Sequence, residues 1–91
     1  MTKEFSDDVK KAFETVENLL NGLIGDRSVP RNIKRVAQRS VDELHKEDET
    51  QGVISSNIMY MVDDLSQDPN IPFAARTTIY RIISILENIK D

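Results

Sequence analysis

The side chains of this chain that could carry chemistry are few. The only histidine, His45, opens the run "HKEDE", in which Glu47, Asp48 and Glu49 follow. An imidazole beside three carboxylates could hold a cation. Residues this close together on a polar stretch lack the spaced histidine pair of a zinc helix and the loop glycine of a calcium hand. A solvated charge run accounts for them. Nucleophilic catalysis needs a nucleophile, a base and a partner that positions the base. The chain has no cysteine, and His45 stands near an expected helix end, where an imidazole suits the C-terminal dipole. Asp63 and Asp64 form a carboxylate pair at another helix end, where negative charge is disfavoured. No further group supports an acid–base role for them, and neutralisation by Arg27 or Arg31 on the adjacent turn is the simpler expectation. The three glycines are never adjacent, so no phosphate-cradling loop is present. These residues point away from an enzyme and from any bound metal or cofactor.

Two surface features remain. At ~100° per residue, Arg31, Arg35, Arg39 and Lys46 fall on one face, opposite Ala37, with Arg27 and Lys34 flanking them. A basic helix stripe is the footprint of phosphate binding. Against nucleic acid stand the net charge of -4 and the lack of interleaved aromatics. The stripe equally fits a solvated face, or a surface that meets an acidic segment of a second copy. The other feature is apolar. Phe73 and Tyr80 point well away from Ile79, and Tyr60 and Val53 stand off their own helix's apolar face. Such aromatics mark a protein contact, or stand singly as ordinary surface residues.

The charge is blocked along the chain. Residues 1–26 carry six acids and three bases, 27–46 two acids and six bases, 47–71 six acids and no base, and 72–91 two acids and three bases. Blocks of this kind bear on assembly and partners rather than on the choice of fold. Ninety-one residues make one domain. A chain this size buries about two-thirds of its unfolded surface. Without cysteine, no disulfide supports it. The opening "MTKEFSDDVKK" is polar and acidic, unlike a signal peptide, and no apolar run reaches the length of a membrane span. A cytoplasmic protein is expected.

The elements that must position these residues are helical. Phe5, Val9, Ala12, Val16, Leu19 and Leu23 step by four and three, with Thr2 or Ser6 as the cap and Gly25 as the stop. A second helix starts at "SVPRN", with Ser28 as the capping side chain and Pro30 in its first turn. Ile33, Val36, Ala37, Val41 and Leu44 make its inner face. A third helix spans about 51–66 on Ile54, Ile58, Met61, Val62 and Leu65, and a fourth runs from Pro72 to the C-terminus through Ala75, Ile79, Ile82, Leu86 and Ile89. Nothing alternates with period two for long enough to make a strand.

A shift of 42 residues lays the first half on the second: Val16 on Ile58, Leu20 on Val62, Leu23 on Leu65, Pro30 on Pro72, Val41 on Ile83 and Leu44 on Leu86. Each half, 5–46 and 50–90, is a helical hairpin that cannot bury its apolar face alone. Asp-x-x-[Val/Ile]-Pro is the turn of each hairpin. Asp26 and Lys34 straddle Pro30 as Asp68 and Arg76 straddle Pro72, so each aspartate is expected near its cation and near free N–H groups at the helix start. The expected fold is all-α, a four-helix bundle of two repeated hairpins, with a short two-unit solenoid as the alternative.

The boxes "VPRNIKRVA" and "DPNIPFAARTTIY", with the trailing "IISILENIK", resemble a small archaeal family of uncharacterised short helical chains with the same two proline turns. The resemblance covers nearly the whole chain and implies a compact helical bundle in an archaeal cytoplasm. It implies no activity and no catalytic residues. The resulting expectation is a non-enzymatic adaptor or assembly protein acting on an unidentified protein partner or on a second copy. A nucleic-acid-associated protein using the basic face of helix two is the alternative.

Overall fold

The computed structural model describes residues 5–91. They form α1 (Asp7–Ile24), α2 (Arg31–Leu44), α3 (Gln51–Ser66) and α4 (Phe73–Leu86), with no strand among the described residues. Each helix packs on the next in sequence, and α4 returns to α1. A solenoid would instead stack α1 on α3 and α2 on α4, so the closed ring is a four-helix bundle. No helix is long and apolar enough to cross a membrane.

The second helix of each half agrees to the residue, while α1 starts two residues before the position that matches the start of α3. Shifted by 42, Arg31–Leu44 becomes Phe73–Leu86, and Ile24, the last residue of α1, becomes Ser66, the last of α3. Buried Val16, Leu20 and Leu23 fall on buried Ile58, Val62 and Leu65; Ile33, Ala37 and Leu44 fall on Ala75, Ile79 and Leu86. Two buried serines interrupt the match. Ser40 stands where the other half has Ile82, and its hydroxyl donates to the Val36 carbonyl at 3.0 Å. Ser55 stands where the first half has Phe13, and its buried hydroxyl has no partner.

The hairpin turns share one hydrogen-bond design. The Asp26 carbonyl accepts from the Val29 N–H at 3.2 Å, and the Asp68 carbonyl from the Ile71 N–H at 3.2 Å. Each aspartate carboxylate accepts from the backbone two residues on, at 2.8 Å: Ser28 in one turn, Asn70 in the other. This is an Asx-turn laid over a β-turn. Val29 and Ile71 then enter the core, and Pro30 and Pro72 follow at φ -59°, ψ 153° and φ -62°, ψ 148°. Both prolines stand one residue outside the helix rather than in its first turn. Their carbonyls open the helical ladder, accepting from Lys34 at 3.1 Å and Arg76 at 3.0 Å. Ser28 is not the cap. Its hydroxyl is committed to Asp26 at 2.7 Å, and α2 and α4 have no side-chain cap. Ser6 and Thr50 cap α1 and α3, while Thr2 lies outside the described residues.

The expected aspartate–cation pairs do not form as contacts. Each carboxylate is occupied by its own turn rather than by a helix N–H. Lys34 acts on Asp26 only through its charge, the least of the influences that hold this carboxyl below its ordinary value; the Ser28 hydrogen bonds come first. Arg76 leans back over its own helix start, and its Nε donates to the Ser66 carbonyl at 3.1 Å. The last carbonyls of α3 are orphaned and negative, so they draw the guanidinium. The second oxygen of Asp68 accepts from the Asn32 amide at 2.9 Å, which pins one hairpin turn to the other.

The fourth helix stops earlier than its apolar period suggests, at Leu86. Ile89 is still buried, and beyond it the chain folds back onto α3. The Asp91 carboxylate accepts from the Thr50 hydroxyl and from the Gly52 N–H, each at 2.8 Å, and the Gln51 amide donates to the Lys90 carbonyl at 2.6 Å. A carboxylate at a helix N-terminus meets an orphan N–H and the positive end of the dipole. Glycine is required for the approach, since a Cβ on Gly52 would lie 2.8 Å from the Asp91 Cγ.

Both joints can be tested by substitution. Asp68→Ala should lower the unfolding free energy by about 1 kcal/mol in urea titration, because it removes both the turn bond and the Asn32 bond. An unchanged midpoint would mean the turn holds without it. Asp91→Ala should cost about 1 kcal/mol in the native background and much less once Gly52→Ala has displaced the carboxylate. Gly52→Ala itself should be near neutral, since about 1 kcal/mol of helix propensity offsets the lost contact. Equal costs for Asp91→Ala in both backgrounds would show that Gly52 does not hold it.

Candidate functional site

Glu43 is the one acidic side chain buried among the described residues, at 6 % exposure. It follows Ser40 by three residues on the inner edge of α2. Asn57 of α3 donates to its Oε2 at 2.9 Å, and the Lys46 ammonium lies 3.4 Å from its Oε1. Glu49 closes the group, 3.3 Å from the Asn57 amide and 3.7 Å from Lys46. Burial is the largest single influence on the Glu43 carboxyl and pushes its pKa up. Hydrogen bonds from Glu49, Asn57 and Lys46 together outweigh it, so the group is held below its ordinary value. Glu49 is pushed the other way, first by its hydrogen bond to Glu43, then by burial and the Glu43 charge. The hydrogen bond to Glu43, with the carboxylate charges around it, raises Lys46.

Each Glu43 oxygen already takes a donor from its own chain, so the cluster ties α2, the following loop and α3 together. The described residues hold no group of three or more side chains suited to a metal ion. The polar run 45–49 is therefore not wholly solvated. His45, the residue after α2, sits with its Nε2 2.7 Å from Glu17 on α1. Sequence reasoning missed the cluster. The signal was the spacing Val36, Ser40, Glu43, which continues the inner face one step past its apolar members.

The basic stripe is outside. Arg27, Arg31, Arg35 and Arg39 are exposed, Lys34 is half-buried, and no ion pair forms on any of them among the described residues. Lys46 leaves the stripe, because α2 ends at Leu44 and the lysine turns to Glu43. Asp63 and Asp64 are exposed as well, and neither Arg27 nor Arg31 reaches them. The Asn57–Glu43 bond explains why. It sets antiparallel α2 and α3 in a register where Arg39 and Met61 line one shallow depression with Glu43. One turn further, Arg35 is level with Leu65 and hence beside Asp64, but both project outward from neighbouring helices.

The exposed aromatics lie on the second hairpin. Phe73 is 83 % exposed, Tyr60 82 % and Tyr80 54 %, and Val53 is also exposed. Phe73 and Tyr80 share one face of α4, seven residues or two turns apart. Phe5 and Phe13 instead pack edge to face, with centroids 5.4 Å apart.

The opposite shifts of the two glutamates give a test. Glu49, with its pKa raised, favours folding fully below its ordinary value of 4.5 and loses that contribution as pH climbs through the raised value. Glu43, with its pKa lowered, contributes above 4.5 and loses it on acidification. Glu49→Gln keeps a donor for Glu43 at every pH and removes the like charge. The variant should melt above the native chain at pH 7, and the gap should close as pH falls toward 4.5. A lower melting temperature at pH 7 would refute the shared hydrogen bond.

Comparison with known proteins accords with this geometry. The model of an uncharacterised protein family, UPF0147, matches residues 1–89. A UPF0147 protein of Methanothermobacter thermautotrophicus is 41 % identical over 81 residues, covering 89 % of this chain and 79 % of that one. One from Desulfurococcus amylolyticus is 44 % identical over 73 residues, covering 80 % of each. The crystal structure of a UPF0147 protein from Thermoplasma acidophilum superposes with a TM-score of 0.87 at 35 % identity, over 93 % of this chain and all of that one. The family match over residues 1–89, the identities to archaeal relatives and the shared bundle place this chain in an archaeal family, and it belongs to UPF0147.

Proposed function

We propose that this chain acts by contact rather than by chemistry, as a small helical adaptor or assembly module of the cytoplasm. On this reading it docks an amphipathic, acid-bearing helix of another protein along the outer face of α4. The observation that carries it is the exposure of Phe73 and Tyr80. Fully burying such a side chain is worth about 1.5–3 kcal/mol, which folding of the lone chain leaves unrealised. Anchors two turns apart are the spacing by which one helix reads another. Exposed Arg81, next to Tyr80, supplies the charge that an acidic flank would meet. What supports a non-enzymatic role is the state of the titratable groups: His45 is held by Glu17, and Glu43 by Asn57 and Lys46.

The test places a photo-crosslinking residue at 73, at 80 and, as a control, at Thr15 on the exposed face of α1. In the native cell, discrete protein adducts should form at 73 and 80 but not at 15, and should survive nuclease. Phe73→Asp should abolish the adduct at 80 while changing stability by no more than about 0.5 kcal/mol, since the position is exposed and begins a helix. Adducts of equal yield at 15, or none at 73 and 80, would sink this reading.

A further inference from the structure

We infer that the outer faces of α2 and α3 form a single self-complementary surface on which a second copy of this chain docks about a two-fold axis parallel to the helices. This surface is separate from the α4 face and stands or falls without it. The outer face of α2 carries Arg31, Arg35 and Arg39, with Asp42 at its C-terminal end, and the outer face of α3 carries Asp63 and Asp64 beside Tyr60. The two helices lie side by side and antiparallel; the register that Asn57 and Glu43 set puts Arg35 level with Leu65, one residue from Asp64, and Arg39 level with Met61, one residue from Tyr60. Arg35, Asp64, Arg39 and Tyr60 are exposed, and neither Arg35 nor Asp64 has an ion partner among the described residues. A two-fold axis along the seam keeps height along the bundle and exchanges left for right. It therefore lays α2 of one copy over α3 of the other without shifting the register. Arg35 then meets Asp64 of the other chain, and Arg39 lies over the ring of Tyr60, each contact made twice.

Arg31, Arg35 and Arg39, spaced four apart, repel one another along α2, and Asp42, one turn beyond Arg39, relieves only part of this. A polyanion would also meet them, but Asp63 and Asp64 stand beside the stripe at the same height and repel phosphate. A second copy turns those carboxylates into partners. The patch is small. Helices of 14 and 16 residues are about 21 and 24 Å long. Packed about 10 Å apart, they present on the order of 400 Å² in projection, against about 800 Å² per partner in a standard interface. The dimer is therefore weak, salt-sensitive and visible only at high concentration.

Sedimentation equilibrium at about 1 mM chain and low salt tests this, a range suited to an interface of this size. The native chain should dimerise, and Arg35→Asp or Asp64→Arg should each weaken association more than tenfold with melting temperature retained. Mixing the two variants should restore a heterodimer, because position 35 of each chain then faces the opposite charge at position 64 of the other. Misfolding or phosphate binding cannot produce that rescue. A native chain that stays monomeric, or a mixture that stays monomeric, overturns the inference. Salt-dependent retention on duplex DNA by a monomeric native chain, lost in Arg35→Asp, would assign the stripe to nucleic acid instead.

Discussion

Val29 and Ile71 each precede a proline, and a residue in that position resists the helical region. The chain must therefore run extended for a step before α2 and before α4, and that step aims a β-branched side chain into the bundle. Asp26 and Asp68 close the turn behind it with the same two hydrogen bonds. Once these turns fix where α2 and α4 begin, the height of every residue relative to its neighbour helix is settled. The Asn32–Asp68 bond at one end and the Glu43–Asn57 bond further along hold the two hairpins at that height. A one-residue change in either turn would rotate a helix by ~100° and carry its charged face inward.

The hairpins, the turns and the inner faces were legible because they rest on local order: a 3.6-residue period and a proline's fixed φ. Helix ends were legible to within a few residues, α4 least, because Ile89 keeps the apolar period after the helix has stopped. What stayed hidden depends on partners distant in sequence. Glu43 reads as a surface acid until Asn57 and Glu49 are brought to it. The return of Asp91 to Gly52 joins residues 39 apart. Arg76 and Asp68 share a turn motif, and the motif could not show that a helix C-terminus competes for the arginine. Periodicity tells which way a side chain points, not what it meets there.

The repeat also separates what the fold needs from what it does not. Core positions match across the 42-residue shift because both hairpins solve the same packing problem. Outer positions are free of that demand, and there the halves diverge by chemical class. Arg31 corresponds to Phe73, Arg35 to Thr77 and Gln38 to Tyr80, while Arg39 corresponds to Arg81. On the other pair of helices, Asn18 corresponds to Tyr60, Asn21 to Asp63 and Gly22 to Asp64. One scaffold thus presents a basic outer helix in its first half and an aromatic one in its second.

Divergence of this kind is not noise spread evenly over a surface. A solvated face that needs only to stay wet would tolerate the same mixed polar residues in both halves. Instead α2 concentrates cations, α3 carries acids and a tyrosine, and α4 carries the two aromatics two turns apart. The folded monomer leaves Arg35, Asp64, Tyr60, Phe73 and Tyr80 exposed. The core gains nothing from them, and α2 bears a local electrostatic cost for its share. These residues sit on faces the packing leaves free, and they are the ones that the proposed contacts would use. The α2–α3 seam proposed for a second copy and the α4 face proposed for a partner helix share no residue, so neither proposal depends on the other.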